Sequence, residues 1–234
     1  MYLLSVNPFL IAAAVIPAIL LMIIVYRMDR LEREPKGLLW SLILFGILAT
    51  AVAGYLEQIG SRLLAQLEDR PILYTLIFTC LLVGPAEEGC KYLLLKRRTW
   101  RNGNFNCRFD GVVYAVFVSL GFALWENISY VAIYGIQVAL IRSVTAVPGH
   151  AAFGVFMGAW YGQAKAFERA GNLQRSKTCR RLAFLVPALI HGLYDFIAIL
   201  GGPVTLVIFV VFILVTFVVS FIMLRRLAKQ DHYL

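Results

Sequence analysis

The stretch PILYTLIFTCLLVGPAEEGCKYLLLKRR, Pro71 to Arg98, decides the fold: a long apolar run interrupted by three charges ends abruptly in a basic block. A helix crossing the hydrocarbon of a bilayer needs roughly 20 mostly apolar residues. Lys and Arg collect at the cytoplasmic ends of such helices. Working outward, seven apolar segments fall at about 8 to 26, 38 to 57, 71 to 95, 109 to 134, 143 to 164, 181 to 200 and 203 to 224. The composition agrees, with 61% hydrophobic residues against 15% charged in 234, which excludes an ordinary soluble enzyme. The expected fold is all-α, a polytopic transmembrane helical bundle.

The loops test this division. Four basic residues lie between Arg27 and Lys36, and Lys96, Arg97, Arg98, Arg101 and Arg108 lie in the third loop pair. Six lie between Lys165 and Arg181, and the tail carries Arg225, Arg226 and Lys229. The alternate connections are poor in them: Arg62 and Arg70 are balanced by Glu68 and Asp69, and Gly201-Gly202 has none. Seven spans with the N-terminus outside and the C-terminus cytoplasmic satisfy every loop. The net charge of +9 is thereby explained by topology and anionic lipid, so no nucleic-acid partner is expected. A single membrane domain over 1–234 is expected, with a chemistry-bearing core at about 71–200. The first apolar run lacks a basic start and a small-residue cleavage site, and is expected to be a retained span. Cys80, Cys90, Cys107 and Cys179 have no CxxC spacing and imply no disulfide framework.

A charge at the bilayer centre costs at least about 2.5–3.5 kcal/mol and requires a partner or a wet cavity. Glu87 and Lys91 are four apart and Glu88 and Lys91 three apart, so all three share one helical face. One lysine neutralises one glutamate, which leaves the second carboxylate available for chemistry. Glu126 interrupts the fourth span, Pro148-Gly149-His150 opens the fifth, and His191 and Asp195 sit one turn apart in the sixth. That spacing lets the Asp195 carboxylate orient the imidazole and hold its tautomer. Straight spans would leave His150 nearer the outer end than Glu87 and Glu88. Tilt, or a break at Pro85 or Pro148, is needed to bring them level.

Hydrolysis of a peptide bond in a membrane needs a water activated by a carboxylate or metal, a proton donor to the leaving amine, and hydrogen bonds for the oxyanion. Glutamates and histidines supply these. GxSxG and HExxH are both absent, so any metal must be gathered from separate spans. Zinc held by His150, His191 and glutamates, with Glu88 and Glu126 as the hypothesised acids, fits that requirement. A proton-coupled transporter or channel built on the same carboxylates and histidines is the alternative, although the paired broken repeats of many transporters are absent.

Glu87-Glu88-Gly-Cys-Lys91, Phe122-Ala-Leu-Trp-Glu126 and His191-Gly-Leu-Tyr-Asp195, with Phe109-Asp110-Gly111 and Pro148-Gly149-His150 between them, resemble the PrsW family of membrane peptidases. That family belongs with the CAAX prenyl proteases and Abi proteins, and the likeness covers about Gly84 to Asp195. It implies an α-helical intramembrane endopeptidase of a bacterial plasma membrane. Some PrsW members make the site-1 cut in membrane-bound anti-sigma factors during stress responses, so a single-span membrane protein is the implied substrate. The resemblance implies Glu87, Glu88, Lys91, Glu126, His150, His191 and Asp195 as catalytic residues. Glu87 or Glu88 would activate water and His191 would hold the oxyanion. The CAAX enzymes have FxxxH where this chain has Phe122-xxx-Glu126, so Glu126 is expected to work with His150 as ligand or base.

Overall fold

A computed structural model describes residues 8–234. Among the described residues nine α-helices follow one another: α1 (Pro8–Met28), α2 (Lys36–Leu64), α3 (Pro71–Ile77), α4 (Gly84–Thr99), α5 (Asp110–Tyr134), α6 (Ile136–Val144), α7 (Ala146–Arg169), α8 (Leu173–Leu200) and α9 (Pro203–Lys229). They form seven segments long and apolar enough to cross a membrane, because α3 and α4 combine into one and α6 and α7 into another. The expected helical bundle and its seven spans stand, and the chain is a multi-pass membrane protein.

Helix α5 is the hub. It packs against α1, α2 and α7, and α7 packs in turn against α8 and α9. In its apolar window 78% of residues are buried, against 11% for α9, which therefore turns most of its surface to lipid. Lipid is as apolar as leucine, so these helices associate through close packing of small residues. A methyl group on Gly111 of α5 would meet the Gly162 nitrogen of α7 at 2.6 Å, which shows how near the two backbones come.

Prolines set the breaks. Pro85 has no N–H to close an α-helical hydrogen bond, and a π-helical turn, Phe78–Val83, lies immediately before α4. Pro148 sits in the first turn of α7, where its missing donor does no harm, and α6 ends just before it at Val144. The fifth span therefore starts as a separate nine-residue helix rather than as one rod from 143. Other boundaries also differ from expectation, α2 running to Leu64 rather than 57 and α9 to Lys229 rather than 224. Helix α8 begins at Leu173 rather than 181 because its basic first turns are good helix formers and Asn172 caps them, its side chain accepting from the Arg175 N–H. Helix α7 runs on to Arg169 instead of 164.

The run of α4 to Thr99, past the expected 95, narrows the expected mismatch in depth. Trp100, just past α4, donates from its indole Nε1 to Glu168 at 3.0 Å and accepts on its carbonyl from Lys165 Nζ at 2.9 Å, which levels the ends of α4 and α7. Counting back from there, Glu88 lies about 18 Å and His150 about 22 Å along their helices at 1.5 Å per residue. The remainder is within side-chain reach.

Candidate active site

The first turns of α4 bring Glu87, Glu88 and, a turn later, Lys91 to face α7 and α8. All three are buried, with Glu88 and Lys91 at 0% exposure. Lys91 Nζ donates to Glu88 Oε1 at 2.7 Å and to Glu87 Oε2 at 3.2 Å, and lies 3.1 Å from His150 Nδ1. It also sits 3.8 Å over the ring of Phe122, which gives that motif residue a cation–π role.

The two histidines are held in the same manner. His150 has Glu126 Oε2 on Nε2 at 2.8 Å and Lys91 on Nδ1. Since an ammonium only donates, His150 Nδ1 accepts and Nε2–H donates to Glu126. His191 has Asp195 Oδ2 on Nε2 at 3.4 Å and Glu88 Oε1 on Nδ1 at 3.0 Å. Each imidazole thus turns Nδ1 to the α4 cluster and Nε2 to a carboxylate, which fixes both orientations and the tautomer of His150, whereas His191 faces a carboxylate on each nitrogen and can donate from either. The rings meet edge to face at 5.2 Å, and Phe153 stacks on His191 at 4.7 Å.

Glycines permit this approach. A Cβ on Gly192 would come within 2.6 Å of Cys80 Cα in the π-helical turn, and one on Gly84 within 2.9 Å of the Gly192 nitrogen. The backbone beside His191 therefore lies directly against the segment leading into Glu87 and Glu88.

A cavity of about 330 Å³ opens onto the cluster, lined by Glu87, Glu126, His150, His191 and Asp195 among others. Glu88 and Lys91 are not in its wall. The cavity also reaches Tyr130 near the end of α5, Ile199 near the end of α8 and Arg142 in α6. It occupies the half of the bundle remote from the basic loops.

All seven residues picked out in the sequence come together here. The four whose donor atoms lie within 4.8 Å of one another are Glu87, Glu88, His150 and His191. Glu126 stands behind His150 instead of in that group. Two contributors were missed. Arg142 pairs with Glu126 at 2.9 Å and donates from Nε to Asn127 Oδ1 at 3.0 Å. Glu57 lines the cavity from α2. Both sit at the ends of expected spans, where a charge reads as an interfacial residue.

A cavity ringed by carboxylates and imidazoles within seven apolar helices is the arrangement of an intramembrane hydrolase. Comparison with known proteins narrows this: residues 34–224 match the family described as PrsW family intramembrane metalloprotease. The chain belongs to that family and is a membrane protease. It is similar to Protease PrsW of Halalkalibacterium halodurans, 32% identical over 221 residues, 94% of this chain and 97% of the relative. Protease PrsW of Oceanobacillus iheyensis is 32% identical over 188 residues, 80% of this chain and 82% of the relative. Protease PrsW of Bacillus subtilis is 31% identical over 189 residues, again 80% and 82%. No solved structure matches. Family membership decides against the transporter, and a membrane protease implies a membrane protein substrate in a lipid environment.

Proposed function

We propose that this protein makes a site-1-type cut in a single-span membrane protein, an anti-sigma factor or a protein of that build, with Glu87 as the base that activates water. The observation that carries this reading is the position of the cavity, which lies in the half of the bundle away from the basic loops. With those loops on the cytoplasmic side, a substrate helix entering there is cut towards its outer end. Glu87 lines the cavity while Glu88 does not, so Glu87 is the carboxylate that meets water. Glu88 and Lys91 neutralise each other behind it and hold His191.

The donor set fits zinc. Two imidazoles turn Nδ1 inward, Glu88 Oε2 is buried without a hydrogen-bond partner, and five carboxylates, Glu57 included, face two fixed cations among the described residues, Lys91 and Arg142. Glu88, His150 and His191 would hold the ion, with Glu87 beside it. Zinc would supply Lewis acidity, lowering the pKa of water and polarising the scissile carbonyl. This chain's residues do the rest. Glu87 takes the proton from water and delivers it to the leaving amine, Glu126 and Asp195 hold the imidazoles in register, and Arg142 faces the carbonyl oxygen across the cavity.

The test is cleavage of a single-span substrate by purified protein in liposomes, with the cut position read by mass spectrometry. Cleavage in the outer half of the substrate helix, lost in Glu87→Gln, supports the proposal. A cut in the half bordering the basic loops, or full activity in Glu87→Gln, overturns it.

A further inference from the structure

A second group of buried acids lies at the opposite end of the fold, among the basic loops. Asp29 follows α1, Glu34 precedes α2, and Asp110 starts α5. They are 1%, 4% and 0% exposed, and one oxygen from each lies within 4.8 Å of the others. Unlike Glu88, they have no lysine. Among the described residues none of the three takes part in an ion pair.

Their hydrogen bonding is equally incomplete. Neither oxygen of Asp29, nor Glu34 Oε2, nor Asp110 Oδ1 meets a donor in good hydrogen-bond geometry, although the Glu34 backbone lies beside Asp29 and the Tyr114 hydroxyl and Asp110 carboxyl lie beside Glu34. Asp110 is anchored by its other oxygen, which accepts the backbone N–H groups of Cys107 at 2.6 Å and Asn106 at 3.0 Å. It is therefore held rigidly with a free oxygen turned into the cluster. A buried, unpaired carboxylate is costly, and three together repel.

We propose that Asp29, Glu34 and Asp110 form a binding site for a hard divalent cation, Mg²⁺ or Ca²⁺, separate from the active site. The donors are all carboxylate oxygens, which hard cations prefer and zinc does not. A cation bound at roughly 2.3–2.6 Å from each oxygen requires separations no greater than about 5 Å, as found here. The ion would join three parts of the chain at one point: the α1–α2 loop, the head of the central helix α5 and, through it, the C-terminal tail. That tail is already tied in, because Phe109 N donates to Asp231 at 2.8 Å and Leu234 N to the Asn106 carbonyl at 2.7 Å. The site thus fixes the head of the helix whose far end carries Glu126.

The test uses the full chain in detergent, stripped with chelator, with Mn²⁺ as a paramagnetic probe and thermal unfolding as a second readout. Mn²⁺ is expected to bind at one site that Mg²⁺ or Ca²⁺ displaces and that survives in His191→Ala. In Asp29→Asn its affinity should fall roughly tenfold or more, as expected for loss of a charged ligand. The melting temperature should respond in the same pattern. Without metal, Asp29→Asn should melt no lower than the stripped native chain, since it relieves repulsion, but it should gain nothing from Mg²⁺ or Ca²⁺. A stripped native chain indifferent to these ions, or an equal response in Asp29→Asn, overturns the proposal and leaves the acids sharing protons. Binding lost in His191→Ala instead also overturns it, by placing the ion at the active site.

Discussion

Glu87 and Glu88 are buried between helices near one end of the fold, and Asp29, Glu34 and Asp110 are buried near the other, yet only the first pair has company. Lys91 lies within hydrogen-bonding distance of both glutamates, and His191 takes a further contact to Glu88. At the basic end the acids meet one another and two backbone amides. The difference teaches that burial alone does not define a site. What matters is which partners the chain supplies and which it leaves to be supplied. The α4 cluster brings its own cation and imidazole-orienting acids, and can shape water and a carbonyl in a cavity. The other cluster brings only negative charge, which is the basis for proposing that it holds an ion.

The largest effect that could break this comparison is at the α4 pair. Glu87→Gln is expected to lower the turnover of a single-span substrate by about a thousandfold or more, since it removes the base, while the melting temperature stays near native. Glu88→Gln should also abolish cleavage but with about 3–5 kcal/mol of lost stability, because it takes from the buried Lys91 its closer partner, at 2.7 Å, and leaves only Glu87 at 3.2 Å. Adding Lys91→Met to Glu88→Gln should recover part of that stability without recovering cleavage. If the two glutamine variants have the same melting temperature, the division of labour between base and anchor is wrong.

Metal removal separates the clusters next. After chelation, zinc is expected to restore cleavage, whereas Mg²⁺ or Ca²⁺ should restore thermal stability alone, by about 2.7 kcal/mol at a hundredfold excess over Kd. Restoration of both properties by one ion would merge the two sites into one.

Smaller effects are expected from the acids behind the imidazoles. Glu126→Gln and Asp195→Asn should each weaken zinc affinity or activity about 10–100-fold while leaving Mn²⁺ binding at the basic end unchanged, checked by zinc titration and paramagnetic resonance. The smallest concerns packing. Gly192→Ala forces a methyl group against Cys80 and should cost about 1–3 kcal/mol in the melting equilibrium, with a loss of cleavage larger than the lost stability explains.

The sequence made the spans and the local chemistry legible. Each apolar run partitions into lipid by its own composition, and the basic loops mark alternate ends, so seven spans could be counted without knowing any contact. Glu87, Glu88 and Lys91 share a face because helical periodicity places residues three and four apart together, and the same holds for His191 and Asp195. Span ends were less legible: α8 starts eight residues early because a charged, capped segment continues a helix beyond the apolar window. Glu57 and Arg142 lie at the ends of apolar runs, outside any motif, and both border the cavity.

Tertiary structure alone decided the rest. His150 reaches Lys91 across 59 positions, and Glu126 stands behind His150 rather than beside Glu88, because the π-helical turn before Pro85, the break before Pro148 and the contact of Gly84 with Gly192 set how the helices lean. Asp29, Glu34 and Asp110 read in the sequence as scattered loop and helix-end acids, and their convergence depends on how the α1–α2 loop folds over α5. Partition into a membrane is a local property of composition, summed residue by residue. Convergence of side chains depends on helix tilt and backbone approach, which only the packed whole determines.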